Sequence, residues 1–136
     1  MEKEEKEKVI KLIKNVLLQD HRVVFAYAYG SFVKDESFRD IDVGIYVKDP
    51  HANLFVITSD IKTEVSSLAK QNNIPFDADQ YDVRVINDAP FTFLYRVFSE
   101  GVLLLDRNPD LRTDLIEQVS LKYRECSGLL AEASLT

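Results

Sequence analysis

A buried strand that ends in a glycine and a serine is the feature that most constrains the fold of this chain. Residues 23–29 are all apolar, which predicts a buried strand, and Gly30 and Ser31 follow directly. Glycine lets the backbone turn sharply and approach a ligand closely. Residues 31 to about 36 are expected to form a short helix or turn, and Ser31 can cap such a helix, whose free N–H groups suit a phosphate. The sequence therefore predicts a phosphate-binding turn after this strand.

Two aspartates mark the start of the next predicted strand. In residues 41–47 the odd positions are all Ile or Val, so this face of the strand is predicted to be buried. Asp40 and Asp42 are two residues apart, and both carboxylates therefore project from the opposite face. Carboxylate oxygens are suitable ligands for Mg²⁺, the ion that accompanies nucleoside triphosphates. The pattern predicts a site for a metal and a nucleotide.

A third acid comes from a later strand. Residues 81–86 alternate between apolar residues and the charged pair Asp82 and Arg84. If this strand lies beside the second one, Asp82 shares a face with Asp40 and Asp42. Three carboxylates that close repel one another unless cations neutralise them. We expect two Mg²⁺ ions there, one at an attacking oxygen and one at a leaving pyrophosphate. The alternative for Asp82 taken alone is an ordinary exposed acid near the start of a strand.

Three cations lie near these residues in the sequence. Lys34 on the short helix and Arg84 beside Asp82 are candidate nucleotide-binding residues, because each is placed to reach a phosphate. Arg39, which precedes Asp40, is a weaker candidate. The alternative for all three is a surface charge or a structural partner of an acid.

The remaining pattern predicts an α/β domain, or α+β, in which helices cover one face of a small mixed sheet. Apolar residues at helical spacing predict four longer helices, and a short edge strand is expected over residues 101–105. The terminal helix is expected to fray near Gly128. Three of the helices share a start signal, an Asp or Asn with a nearby proline, at Asp49, Asp88 and Asn108.

Length and composition limit the classes of function. The 136 residues suit a single domain, and a hydrophobic fraction of 46% with 29% charged residues is typical of a globular protein. The apolar runs are far shorter than the roughly 20 residues of a membrane span, so we expect no membrane association. One cysteine fits a reducing, cytoplasmic location. The formal net charge of −6 disfavours nucleic acid as a partner.

Taken together, these segments resemble a known family. Residues 28–32 (AYGSF), 39–45 (RDIDVGI) and 81–90 (YDVRVINDAP) are similar to the minimal nucleotidyltransferases of the DNA polymerase beta superfamily, in particular to MntA-type antitoxins. The resemblance covers about residues 9–125 of a single domain spanning residues 1–136.

This resemblance implies a polymerase-beta-like nucleotidyltransferase fold and a role for each site residue. Gly30 and Ser31 would hold the triphosphate of ATP. Asp40, Asp42 and Asp82 would bind Mg²⁺ and form the catalytic centre.

The resemblance also implies a partner. In the antitoxin branch the enzyme is paired with a HEPN-domain ribonuclease toxin, which it silences by moving AMP from ATP to a toxin tyrosine. One alternative is a non-catalytic module that acts by occlusion, because the segment over residues 32–39 is shorter than is common in the family. Transfer to a small molecule is disfavoured, since little of the chain is left to build a second pocket.

A cluster of aromatic residues leaves the oligomeric state open. It is expected to lie mainly in the core, although part of it suits a surface for a partner or for a second copy of the chain, a homo-oligomer. Its members are Phe91, Phe93, Tyr95 and Phe98.

Overall fold

Four strands form one mixed sheet, and the apolar run at residues 23–29 is one of its two inner strands. The computed structural model describes residues 3–36 and 39–135, with residues 129–135 as backbone alone. No helix in this part of the chain is both long and apolar enough to cross a membrane. The elements in chain order are α1 (Lys3–Gln19), β1 (Val23–Tyr29), α2 (Ser31–Lys34), β2 (Ile41–Val47), α3 (Leu54–Gln71), a 3-10 turn (Ala78–Gln80), β3 (Tyr81–Val85), α4 (Phe91–Glu100), β4 (Val102–Asp106) and α5 (Pro109–Leu135).

The strand order of the sheet is β3-β2-β1-β4, which confirms a small mixed sheet with β4 at one edge. β1 pairs antiparallel with both β2 and β4, whereas β2 and β3 run parallel. The register places Asp42 beside Asp82 across the parallel pair and beside Tyr29 across the antiparallel pair. The two predicted acid-bearing strands are therefore direct neighbours.

Helices α1 and α3 cover the first face of the sheet, as predicted. The odd positions of β2 are all buried beneath them, together with the predicted apolar stripe of α1. Because side chains alternate along a strand, the even positions of β2 lie on the second face of the sheet. The buried residues of α1 are Val9, Leu12, Ile13, Val16 and Leu17.

Helices also cover part of the second face of the sheet, in addition to the one covered face that the sequence predicted. Phe25 and Tyr27 of β1 form a second core cluster there with buried residues of α4 and α5. Three residues from the helices complete its buried centre with Ile86, namely Leu94, Val97 and Val119. The neighbouring part of this face, at β2 and β3, carries Asp42, Asp82 and Arg84 instead. The second face is thus divided into an apolar part and a charged part.

The predicted caps of α3 and α4 are wrong. α3 begins four residues after Pro50, and the N–H of Val56 donates to Oδ1 of Asn53 at 3.2 Å. Asp49 instead accepts a bond from the N–H of His51 at 2.9 Å, so its carboxylate serves a local turn. α4 has Pro90 at its cap position, with no side-chain hydrogen bond there.

The start of α5 agrees with the prediction, but its end does not. The N–H of Leu111 donates to Oδ1 of Asn108 at 3.1 Å, so Asn108 is the cap. The helix passes through Gly128 and continues to Leu135. The residues after Gly128 (LLAEASL) are mostly strong helix formers, which offset the cost of about 1 kcal/mol for one interior glycine.

Candidate functional site

Gly30 makes the turn between β1 and α2 and brings it against an acid. Its backbone has φ 78° and ψ −158°, a combination that is essentially restricted to glycine. A Cβ atom built on Gly30 would lie 2.5 Å from Oδ2 of Asp42. Only a glycine therefore allows this backbone to pack so closely over the carboxylate of Asp42.

Ser31 is the first residue of α2 and not its cap, contrary to the prediction. Gly30 occupies the cap position, and no side-chain hydrogen bond caps the helix. The physical reason is that Gly30 itself has the non-helical backbone of a cap position, so Ser31 is already the first helical residue. α2 has only four residues, and its last turn closes with the N–H of Asp35 donating to the carbonyl oxygen of Ser31 at 2.8 Å.

Asp42 and Asp82 are the two acids that the sheet brings together. They are register partners on adjacent parallel strands, so both side chains project from the same face. Burial raises the pKa of Asp42, and the negative charges of Asp82 and Asp40 raise it further. This carboxylate is therefore in a setting where a bound cation would be favourable, because a cation offsets both the burial and the repulsion.

Asp40 lies next to this pair without completing a metal cage. It directly precedes β2, is exposed, and acts on Asp42 through charge. Within the described residues, no three His, Cys, Asp or Glu side chains are close enough together to hold a metal ion. The carboxylate oxygens on this face are nevertheless the type of ligand that Mg²⁺ prefers. They lie beside the Gly30 turn, where the absence of a Cβ leaves space next to Asp42.

Arg84 is a cation on the same face as the two acids. Its Nε lies 3.2 Å from Oδ2 of Asp82, and its side chain is 61% exposed. The negative charge of Asp82 raises the pKa of Arg84, so the guanidinium stays charged. An exposed guanidinium with one carboxylate contact is well suited to pair with a phosphate as well.

The other two predicted cations lie differently. Nζ of Lys34 is 2.5 Å from Oε2 of Glu100, at the end of α4, and both side chains are about half exposed. In this conformation Lys34 connects α2 to α4 and does not contact the two acids of the sheet. Arg39 is exposed. Ser37 and Phe38, in the short segment before Arg39, lie outside the described residues.

Tyr29 is a site residue that the sequence did not single out. It is the last residue of β1, it is half-buried, and its ring meets Phe93 edge-on at 5.4 Å. Burial and the nearby charge of Asp42 raise the pKa of its hydroxyl to about 12. A tyrosine in an apolar strand is normally a core residue, and only the pairing of Tyr29 with Asp42 places it at the site.

A comparison with known families agrees with this arrangement. The family model described as polymerase beta, nucleotidyltransferase, matches residues 11–110, which include the Gly30 turn and all three aspartates. The chain belongs to this family. No curated protein is a significant match to the sequence.

Solved structures share the fold of this nucleotidyltransferase over nearly its whole length. A chain of an MntA-HepT toxin-antitoxin is 14% identical, with a TM-score of 0.56 and coverage of 99% of this chain and 100% of that one. A toxin-antitoxin with AMP-PNP is 16% identical, with a TM-score of 0.56 and coverage of 96% and 98%. A complex of tri-AMPylated Shewanella oneidensis HEPN toxin with MNT antitoxin is 16% identical, with a TM-score of 0.53 and full coverage of both chains.

Proposed function

We propose that this nucleotidyltransferase moves AMP from ATP to a protein acceptor, a tyrosine of a HEPN ribonuclease toxin, and so acts as an antitoxin. The observation that carries the proposal is the side-by-side placement of Asp42 and Asp82 next to the Gly30 turn. Solved complexes of the same fold support it, because one contains AMP-PNP and another a tri-AMPylated HEPN toxin. The net charge of −6 fits a protein acceptor better than a nucleic acid.

In the proposed reaction the phenol oxygen of the acceptor bonds to the α-phosphorus of ATP. The bond from the α-phosphorus to the oxygen bridging to the β-phosphate breaks, pyrophosphate leaves, and the phenol loses its proton. Asp40, Asp42 and Asp82 would hold Mg²⁺, which, when bound, neutralises charge on the phosphates. The free N–H groups of the Gly30 turn and the guanidinium of Arg84 would orient the triphosphate.

The test is a transfer assay with the purified chain, ATP, Mg²⁺ and the cognate toxin. We expect the toxin to gain mass in whole AMP units, measured by intact mass spectrometry. Asp42→Asn should lower the rate at least about 100-fold, because loss of a metal ligand removes several kcal/mol of transition-state stabilisation.

The matched control is Asp110→Asn. Asp110 is an exposed aspartate in the first turn of α5. The preceding strand pairs Asp106 with Phe25, toward the opposite end of β1 from Gly30, so this variant should keep the wild-type rate. No mass gain on the genuine toxin, or equal rates for the two variants, would contradict the proposal.

Occlusion without chemistry is the second candidate, because the described acids do not form a three-ligand metal group in this conformation. A binding module of this kind would hold the toxin tightly and have no affinity for a nucleotide. Isothermal titration calorimetry with the toxin, and separately with AMP-PNP and Mg²⁺, distinguishes the two. Tight toxin binding without nucleotide binding would favour occlusion.

A further inference from the structure

The backbone of Lys34 is bonded directly to the Gly30 turn. Its N–H donates to the carbonyl oxygen of Gly30 at 3.3 Å, within the single turn of α2. An anion at the free N–H groups of the turn would therefore lie about one helical turn from the Lys34 backbone. A lysine side chain is a flexible four-carbon stem that ends in a point charge, so its ammonium group can reach such an anion from there.

Glu100 is also held near this turn. It is the last residue of α4, and its Oε2 lies 2.5 Å from Nζ of Lys34. The next residue, Gly101, packs so closely on β1 that a Cβ there would be 2.9 Å from the carbonyl oxygen of Ala28, two residues before Gly30. The end of α4 is therefore fixed on the strand that leads into the turn, and Glu100 is fixed with it.

We propose that Glu100 competes with the nucleotide for Lys34, so that the triphosphate binds this lysine in exchange for the carboxylate. The inference rests on the proposed function, since it concerns how the same site binds ATP. A triphosphate carries several negative charges and a carboxylate carries one, so the exchange is favourable when the nucleotide is bound. The reverse exchange favours release of pyrophosphate after the transfer.

A positive charge near the Gly30 turn is favourable for a bound triphosphate because the neighbouring strands carry acids. Asp42 lies against the turn, Asp82 lies beside Asp42, and the phosphates add further negative charge. Like charges that close are unfavourable unless cations offset them. The ammonium group of Lys34 provides such a charge once it leaves Glu100.

The exposure of the pair sets the size of the effect. The side chains of Lys34 and Glu100 are 50% and 46% exposed, so water screens their attraction. Exposed ion pairs of this kind change an equilibrium constant by no more than a factor of about five. The carboxylate therefore lowers the affinity for the nucleotide without preventing its binding.

The experiment is a double-mutant cycle of Glu100→Gln and Lys34→Met, measured as the dissociation constant of AMP-PNP with Mg²⁺ by calorimetry at low salt. We expect E100Q to tighten binding about threefold, because glutamine keeps the shape of the side chain and removes the competing charge. K34M should weaken binding about tenfold, the effect of one hydrogen bond to a charged group. In the K34M background E100Q should have almost no effect, because the lysine for which Glu100 competes is gone.

A charge swap separates competition from a purely structural link between α2 and α4. The double variant of Lys34→Glu with Glu100→Lys keeps an ion pair between the two helices but places an acid on α2. A structural link predicts normal binding of AMP-PNP by this variant, whereas competition predicts binding at least as weak as in K34M. In the transfer assay, E100Q should lower KM for ATP about threefold with kcat nearly unchanged.

The matched control is Glu64→Gln, which removes the same charge from an exposed glutamate of α3. α3 packs on the first face of the sheet, whereas the acids of the site project from the second face. E64Q should therefore bind AMP-PNP like the wild type. Thermal unfolding checks that each variant folds.

Each outcome decides between the two proposals. If the wild type binds AMP-PNP, then equal or weaker binding in E100Q, a gain that persists in the K34M background, or normal binding by the charge swap would overturn the competing role of Glu100. Each of these results would leave the proposed function intact. Absence of AMP-PNP binding by the wild-type chain would overturn both. Tighter binding in E100Q that disappears in the K34M background supports both.

Discussion

Asp20 and Asp42 are two partly buried aspartates whose surroundings shift their pKa values in opposite directions. Hydrogen bonds from Arg22 lower the pKa of Asp20 despite its burial, whereas burial and neighbouring acids raise that of Asp42. The first residue therefore stabilises the fold in its charged form. The second is held in an unfavourable setting, which is typical of a group kept for function instead of stability.

The contrast predicts how stability depends on pH at Asp20. Since its folded pKa lies below the unfolded value near 3.9, its contribution is present above that value and is lost as the pH falls through the folded pKa. Asp20→Asn should lower the free energy of unfolding by about 1 kcal/mol at pH 7, because Arg22 is partly exposed and the pair is screened. Urea unfolding from pH 2 to 7 measures this.

In that series the difference between wild type and Asp20→Asn should shrink toward zero at the lowest pH. Asp79→Asn is a suitable control, because Asp79 is an exposed acid of the 3-10 turn. A difference that is constant across the whole pH range would contradict an ionic contribution of Asp20.

At the scale of the elements, replacing each of two glycines with alanine should change the stability of the chain in opposite directions. Gly30→Ala should destabilise the chain by about 1–3 kcal/mol, because alanine cannot adopt its φ of 78° and ψ of −158° without strain and its Cβ would contact Asp42. Gly128→Ala should stabilise helix α5 by up to about 1 kcal/mol, since a Cβ there meets nothing within 4 Å. Urea unfolding and the helical signal in circular dichroism measure both.

The same pair of variants separates stability from nucleotide binding. Gly30→Ala should also abolish binding of AMP-PNP, whereas Gly128→Ala should bind like the wild type. Destabilisation by both changes to the same extent would show that loss of glycine as such, and not the backbone of the Gly30 turn, is responsible.

Elements defined by apolar patterns were predictable, and elements defined by competition between polar groups were not. The bounds of β1 and β2 follow from a continuous apolar run and from an alternating apolar pattern, each of which predicts a buried strand. The start of α3 does not, because Asp49 and Asn53 are both good caps and the structure uses Asp49 in a turn. The place of Tyr29 beside Asp42 depends on strand register, which no local pattern encodes.

The lysine and arginine roles show the same limit. Lys34 stays a candidate phosphate ligand, but its ion pair with Glu100, which is far away in sequence, was not predicted. Arg107 was not singled out, although its guanidinium donates to the carbonyl oxygens of Asp20, Val23 and Leu18 and so ties β4 to the end of α1. Such contacts depend on the tertiary fold, so a single sequence does not reveal them.

At the scale of the whole molecule, the two core clusters share one sheet. α1 and α3 pack on the first face, while α4 and α5 pack against β1 on the second. Neither cluster can lose its strands without exposing the other. The site lies on this shared sheet, so ligand binding there should stabilise both clusters together.

We therefore predict a single cooperative unfolding transition for residues 1–136, as expected for one domain. Far-ultraviolet circular dichroism follows all the helices, and tyrosine fluorescence follows mainly the second face, where Tyr27, Tyr29 and Tyr46 lie. The two signals should change at the same urea concentration. AMP-PNP with Mg²⁺ at 100 times its dissociation constant should add about 2.7 kcal/mol to the unfolding free energy by both signals. Asp42→Asn is the control and should show no ligand shift in either signal. Two separate transitions, or a ligand shift in one signal alone, would mean that the two faces of the sheet fold independently.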